Sequence, residues 1–326
     1  MTSVWGFDCL WYDGYGAHPP TIEAQKEFAL DVDTSEKLRL GIPKGSLEAA
    51  TIELFRQAGW NITPHSRNYF PRIDDPEIEC ALVRSQEMGP YIASGTLDAG
   101  LCGIDWVMET GTEDDVEVVS DLVYSKASNQ KARWVLVVED NSSIHSVEDL
   151  EGKVIATELM GFTKRYLEER GINAKVEFSW GATEAKVVEG LADAAVEITE
   201  TGSTIKAHGL RIVCDLLETH TVLIAGKSAL GNNWKKGKID QIALLLQSAM
   251  TARHKVLLKM NVAARNLDSV VNLLPSLQAP TVNRLLDEDW SAVETVVDNH
   301  AVRALIPKLK AAGAEGILEL DLTKMC

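Results

Sequence analysis

The stretch Val196–Leu210, VEITETGSTIKAHGL, gathers several chemically capable residues in one place. AAVEIT reads as an apolar strand, STIKAHG as a helix and ETGST as the loop between them. Such a loop turns its backbone N–H groups, with the N-terminus of the following helix, toward an anion. Gly202 lets the backbone approach closely, and Thr201, Ser203 and Thr204 add hydroxyl donors. A simple helix cap by Ser203 or Thr204 is the alternative. Two carboxylates flank the loop. A phosphorylated sugar reconciles them with an anion site, because Glu197, at the end of the strand, can accept charge-assisted hydrogen bonds from vicinal hydroxyls. Glu200 has two readings, a sugar contact or a solvated loop charge.

Cations for a phosphorylated ligand come from elsewhere. Lys44 and Gly45 lie in a loop between a strand and a helix, where a lysine either meets phosphate or is solvated. Arg84 closes the apolar strand IECALVR, and is either a ligand contact or half of an ion pair with Glu87. Asp98 and Asp105 flank Gly100 and Gly103; tight packing and turn hydrogen bonds explain both, with Asp105 the better cleft candidate. Thr157, Thr163, Lys164 and Arg165 surround a helix start. His208 is read as a surface helix residue, and the seven histidines have no metal-ligand spacing.

The elements that must position these residues alternate. LRLGIP and IECALVR are strands, LEAATIELFRQAG is an amphipathic helix ending at Gly59, and EMGPYIASG is a helix interrupted near Pro90. DAGLCGIDWVM runs from strand to helix. A second unit starts near RWVLVVE and continues through KVIAT, FTKRYLEERG, AKVEFSW and ATEAKVVEGLAD to AAVEIT. Strand–helix alternation predicts an α/β fold with largely parallel sheets. RIVCDLL and TVLIAGK are expected to return to the first unit, leaving two lobes with a cleft between them. Ile242, Leu245, Leu246 and Met250 form a core stripe on a long helix. From Lys255 the pattern β-α-β-β-α-β predicts a ferredoxin-like domain. The boundaries are an N-terminal extension over 1–36, without sustained periodicity; lobe I over 37–132 and 211–245; lobe II over 133–210; and a C-terminal domain with its linking helix over 246–326.

The formal net charge of -16 excludes a general binder of nucleic acid or membrane surfaces. It also requires that a phosphorylated ligand meet local cations or arrive with a divalent metal. Five cysteines without a CxxC pair exclude a disulfide frame and a structural zinc site. No apolar run reaches the roughly 18 residues of a membrane helix, and the first twenty residues lack a basic start and an apolar core. A cytoplasmic protein is expected.

Beyond these readings, VEITETGST resembles the phosphoribosyl-pyrophosphate loop of the ATP phosphoribosyltransferase family. The likeness extends from Leu38 to Leu322. LGIPKGSLEAAT resembles that family's first strand–loop–helix, LVRSQEMGPYI its Arg-x-x-acidic-x-Pro region, displaced slightly by Gly89 before Pro90, and DAGLCGIDW its D-x-G-x-x-G-x-D segment. SLQAPTVNRLLDEDW and LKAAGAEGILEL resemble the regulatory domain of the long form. The resemblance implies a two-lobed, periplasmic-binding-protein-like catalytic region followed by a ferredoxin-like regulatory domain. It implies condensation of ATP with phosphoribosyl pyrophosphate, the first step of histidine biosynthesis, with Mg²⁺ carried mainly on the substrate pyrophosphate. Arg84, Lys44 and Glu197 would be catalytic, with Gly45, Asp105, Glu200, Thr201, Gly202, Ser203 and Thr204 binding substrate. It further implies a homo-hexamer built from dimers, inhibited by histidine bound near Asn261, Leu277, Thr281 and Gly316. Besides the Gly89 displacement, two further departures stand out: Ser46 where many relatives have Arg, and Asn261 where some long forms have Asp. A secreted solute-binding protein shares the two-lobed plan but has no need of ETGST. A transcription regulator would need a helix-turn-helix, and none is seen.

Overall fold

β1 (Leu38–Lys44) carries buried side chains at both parities, the pattern of a strand covered on both faces. In the computed structural model, which describes residues 36–65, 68–124, 130–275 and 279–326, β1 belongs to the first of two five-stranded sheets. The extension, apart from Glu36, lies outside the described residues. α1 (Glu48–Ala58) buries Thr51, Leu54, Phe55 and Ala58 and ends at Gly59, whose left-handed backbone lets its N–H reach the Phe55 and Arg56 carbonyls. A hairpin of β2 (Ile62–His65) and β3 (Asn68–Ile73) precedes β4 (Ile78–Arg84). α2 (Ser85–Ala93), β5 (Ala99–Gly103), α3 (Ile104–Thr110) and β6 (Val116–Leu122) complete this part of the lobe. The interruption expected at Pro90 does not occur, and α2 runs through it. The ring costs only the bond to the Gln86 carbonyl in the first turn.

The second lobe contains β7 (Ala132–Glu139), β8 (Val154–Thr157), α4 (Met160–Glu168), β9 (Lys175–Phe178), α5 (Thr183–Val188), β10 (Ala194–Thr199), α6 (Ser203–Ala207) and β11 (Leu210–Thr219). Its sheet order is β11-β7-β10-β8-β9. The boundary at 211 therefore needs correction: RIVCDLL stays in lobe II, paired with β7, and only β12 (Thr221–Gly226) returns to lobe I. Two register shifts in β11 break its alternation, which is why the sequence pattern does not reveal its sheet. β12 completes the order β4-β1-β5-β12-β6. The lobes are thus joined by two crossings, from β6 to β7 and from β11 to β12.

After α7 (Lys227–Leu230), the long helix α8 (Asn233–Ala252) buries Ile239, Ile242, Leu246 and Ala249 in the core of lobe I. The expected core stripe is present, but the boundary at 245/246 cuts a helix that packs on lobe I throughout. The C-terminal domain begins after it. β13 (Lys255–Ala263), α9 (Leu267–Val271), β14 (Thr281–Arg284), β15 (Trp290–Asp298), α10 (Asn299–Ala311) and β16 (Ala314–Asp321) form the expected ferredoxin-like unit. Its antiparallel order is β14-β15-β13-β16. Alternate β13 residues Val256, Leu258, Met260 and Val262 face Val302, Leu305 and Leu309 of α10. The tail then returns to lobe I: Lys324 Nζ donates to the Ala58 carbonyl (3.1 Å) and the Met325 N–H to the Ser248 carbonyl (3.0 Å).

Candidate active site

The cleft between the lobes is built from strand ends. β1 and β4 pair in parallel register from Leu38↔Ile78 to Lys44↔Arg84. That register makes Lys44 and Arg84 neighbours at the C-terminal edge of the sheet, where loops and helix starts meet ligands in α/β folds. Lys44 Nζ lies 4.0 Å from the centre of the Tyr69 ring. Arg84 does not pair with Glu87; its guanidinium carbon lies 5.6 Å from the ring of Trp180, in the second lobe. Gly45 sits at φ 102°, a left-handed turn, and its N–H donates to Glu48 Oε2 (3.3 Å).

Asp98 and Asp105 separate cleanly. Asp98 bonds the Arg39 backbone N–H (2.8 Å), the Arg39 guanidinium (3.0 Å) and Lys235 Nζ (2.9 Å), away from the cleft. Burial opposes its ionisation, but these hydrogen bonds outweigh burial and hold the carboxyl below its ordinary range. Asp105 lines the cleft from the first turn of α3 and is 3% exposed. Its Oδ2 accepts from Trp134 Nε1 (2.7 Å), while Oδ1 has no hydrogen-bond partner among the described residues. Burial raises its pKa and the Trp134 bond only partly offsets this. A Cβ at position 103 would collide with Oδ1, so Gly103 lets the carboxyl fold back over the strand end.

The opposite wall is the end of β10 and the loop after it. Glu197 has its pKa pushed up to about 7, first by desolvation and then by repulsion from Glu184, against a hydrogen bond from Thr183 and with a further push from Glu158. The loop is held by its own groups. Gly202, buried at φ 75°, donates its N–H to Thr199 Oγ1 (2.8 Å), and the hydroxyls of Thr201 and Ser203 are 3.0 Å apart.

One cleft of about 680 Å³ brings together Lys44, Gly45, Arg84, Asp105, Glu197 and Glu200. An adjoining cavity of about 310 Å³ holds Thr201, Ser203 and Thr204, and shares Glu197 and Glu200 with the cleft. Gly202 lies beneath this surface. The cleft also contains Trp106, Trp134, Glu158 and His220, which the sequence did not single out. His220 Nε2 is 2.7 Å from Asp121 Oδ1. His208, by contrast, is half exposed at the end of α6. Lys164 is exposed, and Thr157 and Thr163 are buried. Among the described residues no three His, Cys, Asp or Glu side chains converge as metal ligands.

The C-terminal residues fare differently. Asn261 on β13 and Gly316 on β16 are neighbours, with Asn261 Nδ2 3.9 Å from where a Cβ at 316 would stand. Thr281 is on the far edge strand, paired with Glu294 of β15, so the fold of the chain does not bring it beside Asn261. Leu277 lies outside the described residues.

Comparison with known proteins follows the same division. The model of the ATP phosphoribosyltransferase family matches residues 84–248, and that of "HisG, C-terminal domain" matches residues 252–324. The ATP phosphoribosyltransferase of Nitratidesulfovibrio vulgaris is 61% identical over 288 residues, 88% of this chain and 98% of that relative. The enzyme of Desulfatibacillum aliphaticivorans is 58% identical over 291 residues, 89% of this chain and 99% of its own length. The chain belongs to the ATP phosphoribosyltransferase family.

Family membership makes the chain a pentosyltransferase (EC 2.4.2.17) that acts at the first step of histidine biosynthesis. It also selects between the two-lobed readings, against a solute-binding protein. A solved structure, the ATP phosphoribosyl transferase (HisG:HisZ) complex of Thermotoga maritima, contains a chain with 26% identity and a TM-score of 0.56, over 66% of this chain and 98% of that one. The two matched models meet where α8 ends, so the family's own division agrees with a C-terminal domain starting after Ala252. No helix among the described residues is long and apolar enough to cross a membrane.

Proposed function

We propose that this transferase condenses ATP with phosphoribosyl pyrophosphate to give N1-(5-phosphoribosyl)-ATP and pyrophosphate, under feedback inhibition by histidine. The observation that carries the reading is the opposition of two walls: paired cations at Lys44↔Arg84 and, across one cleft, Glu197 beside a hydroxyl-rich loop. Adenine N1 attacks ribose C1, the C1–N1 bond forms, and the C1–O bond breaks with its electron pair leaving on pyrophosphate. N1 is unprotonated near neutral pH, so alignment and charge stabilisation supply the catalysis. Lys44 and Arg84 would stabilise the departing pyrophosphate, and the Gly45 N–H would join them by exchanging Glu48 for a phosphate oxygen. Thr201, Ser203 and Thr204, on the backbone turn at Gly202, would hold the 5-phosphate. Glu197 would accept from the ribose hydroxyls. Asp105 Oδ1 and Glu200 are further acceptors for substrate.

The donor set fits Mg²⁺ as part of the substrate. The described residues offer it no cage, and magnesium commonly stays on phosphate oxygens with few protein ligands. Arriving on pyrophosphate, it also lessens repulsion from a chain of net charge -16. We assign histidine to the C-terminal domain around Asn261 and Gly316, with Thr281 joining from another subunit of a hexamer, in a cytoplasmic enzyme. Asn261 can accept from the effector's ammonium but brings no charge of its own. The test is phosphoribosyl-ATP formation from the two substrates and Mg²⁺, with and without histidine. Product formation that falls as histidine is added is expected; binding of both substrates without turnover by a folded protein would overturn the enzyme reading.

A further inference from the structure

α3 and α4 belong to different lobes, yet they are joined end to end. The first N–H groups of a helix have no partner within it, and the cap residue of α4, Leu159, supplies no side-chain acceptor. The acceptor comes from the other lobe. The Glu109 carboxylate takes the Gly161 N–H on Oε1 and the Phe162 N–H on Oε2, both at 2.8 Å. Its charge also faces the positive end of the α4 dipole. In return, Arg165 of α4 donates to the Met108 carbonyl at the C-terminal end of α3. The fit is close: a Cβ at Gly161 would stand 2.6 Å from the Glu109 carbonyl oxygen. The joint therefore has a bidentate charge-assisted contact, a reciprocal arginine contact and a glycine that permits both.

The ends of these two helices also belong to the cleft. α3 starts with Asp105 and Trp106 on one wall, and Glu158, two residues before α4, is on the other. α3 is a seven-residue strut that meets the second lobe at both ends, through Asp105 on Trp134 in the cleft wall and through Glu109 on α4. We propose that Glu109 is a positioning residue that clamps lobe II to lobe I and so sets the width of the substrate cleft. The clamp rests on the transferase reading for its consequence. Without it, the clamped arrangement seen here is a smaller fraction of the resting protein, and apparent affinity falls by that fraction.

The experiment compares the full chain with Glu109→Gln, a near-isosteric change whose amide can accept only one of the two N–H groups. Expected are KM values for both substrates raised about tenfold with kcat within about twofold, since saturating ligand restores closure, and a larger radius of gyration by X-ray scattering without substrate. Arg165→Met, which leaves the carboxylate in place, should move KM the same way by a smaller factor. Unchanged KM in both variants, even with lowered melting temperature, would make the contact merely structural and overturn the proposal. So would a loss confined to kcat. If Glu109→Gln does not fold, Arg165→Met decides by the same KM criterion. A wild-type chain that makes no phosphoribosyl-ATP would instead defeat the transferase reading, while the scattering difference between wild type and Glu109→Gln would still report on the clamp.

Discussion

The two walls of the cleft are made by opposite means. Lobe I brings cations at the ends of two strands whose register is fixed over seven consecutive pairs, so Lys44 and Arg84 are set by the sheet itself. Lobe II brings a carboxylate and hydroxyls at the end of one strand, on a loop that satisfies part of its own hydrogen bonding through Thr199 and Thr201. A rigid cationic wall suits a leaving group whose charge grows at one position. A self-bonded loop suits a ligand that must be admitted, because Thr199 Oγ1 can give up the Gly202 N–H to a stronger acceptor.

The contrast breaks first at Arg84. Arg84→Met should lower kcat by about 10²–10³, the effect of removing one preorganised donor from developing charge; steady-state assays check this, and an effect limited to KM would put the leaving group elsewhere. Next is the loop. Gly202→Val puts a β-branched residue at φ 75°, with Cβ 3.2 Å from Ile212 Cδ1. Binding of phosphoribosyl pyrophosphate, measured by calorimetry, should weaken by at least about tenfold, given the left-handed strain alone. Unchanged affinity would mean that the phosphate is held away from this loop.

Glu197 sharpens the comparison through pH. Its carboxyl is raised to about 7 in the empty cleft, and only the ionised form is the strong acceptor for two hydroxyls. The ratio kcat/KM for phosphoribosyl pyrophosphate reports free-enzyme groups, so it should rise with pH through about 7 and level off above. Glu197→Gln should lower the plateau and remove that inflection. The same raised pKa means that the folded state binds this proton more tightly than the unfolded chain. Its contribution to stability is thus present below the ordinary glutamate range and is lost as pH rises through about 7.

The smallest kinetic effect belongs to a charge that looks similar in sequence. Asp98→Asn removes the charge, and one of the two acceptor oxygens, of the carboxylate shared by Arg39 and Lys235. It should cost about 2 kcal/mol in urea denaturation, less than a fully enclosed pair because Arg39 is partly exposed, with kcat and KM unchanged. The sign follows from the depressed carboxyl: the stabilisation is present above the ordinary aspartate range and fades as pH falls through the lowered value.

These two aspartates show where sequence reasoning reaches its range. Of two glycine-flanked carboxylates seven residues apart, the strand exit marked Asp105 as the cleft residue, and the cleft contains it; the ion-pair network of Asp98, which stands just before β5, depends on Lys235, 137 residues away, and no local pattern shows it. Local patterns were enough for β1, β4, β10, the α8 stripe and the β-α-β-β-α-β order, because each carries its own periodicity or turn chemistry. The β2–β3 hairpin was not legible: ITPH and NYFPRI contain prolines and expose Tyr69 and Phe70. Nor was the sheet that β11 joins, since its bulges break the period-two signal. In the cleft, the family likeness pointed to Lys44, Arg84 and Glu197. Trp134, Glu158 and His220 enter only through tertiary approach, and nothing in their neighbouring residues marks them.

The returning tail has a mechanical consequence. The C-terminal domain leaves lobe I through α8 and touches it again at Ala58 and Ser248. A body hung from one joint swings without load on its support. One fastened at two points transmits torque, and here both fastenings act on the same pair of helices, α1 and α8, whose buried faces support β1 beneath Lys44. A distortion at Asn261 therefore has a solid route to the cationic wall through shear of those helices, with no need for the domain to travel.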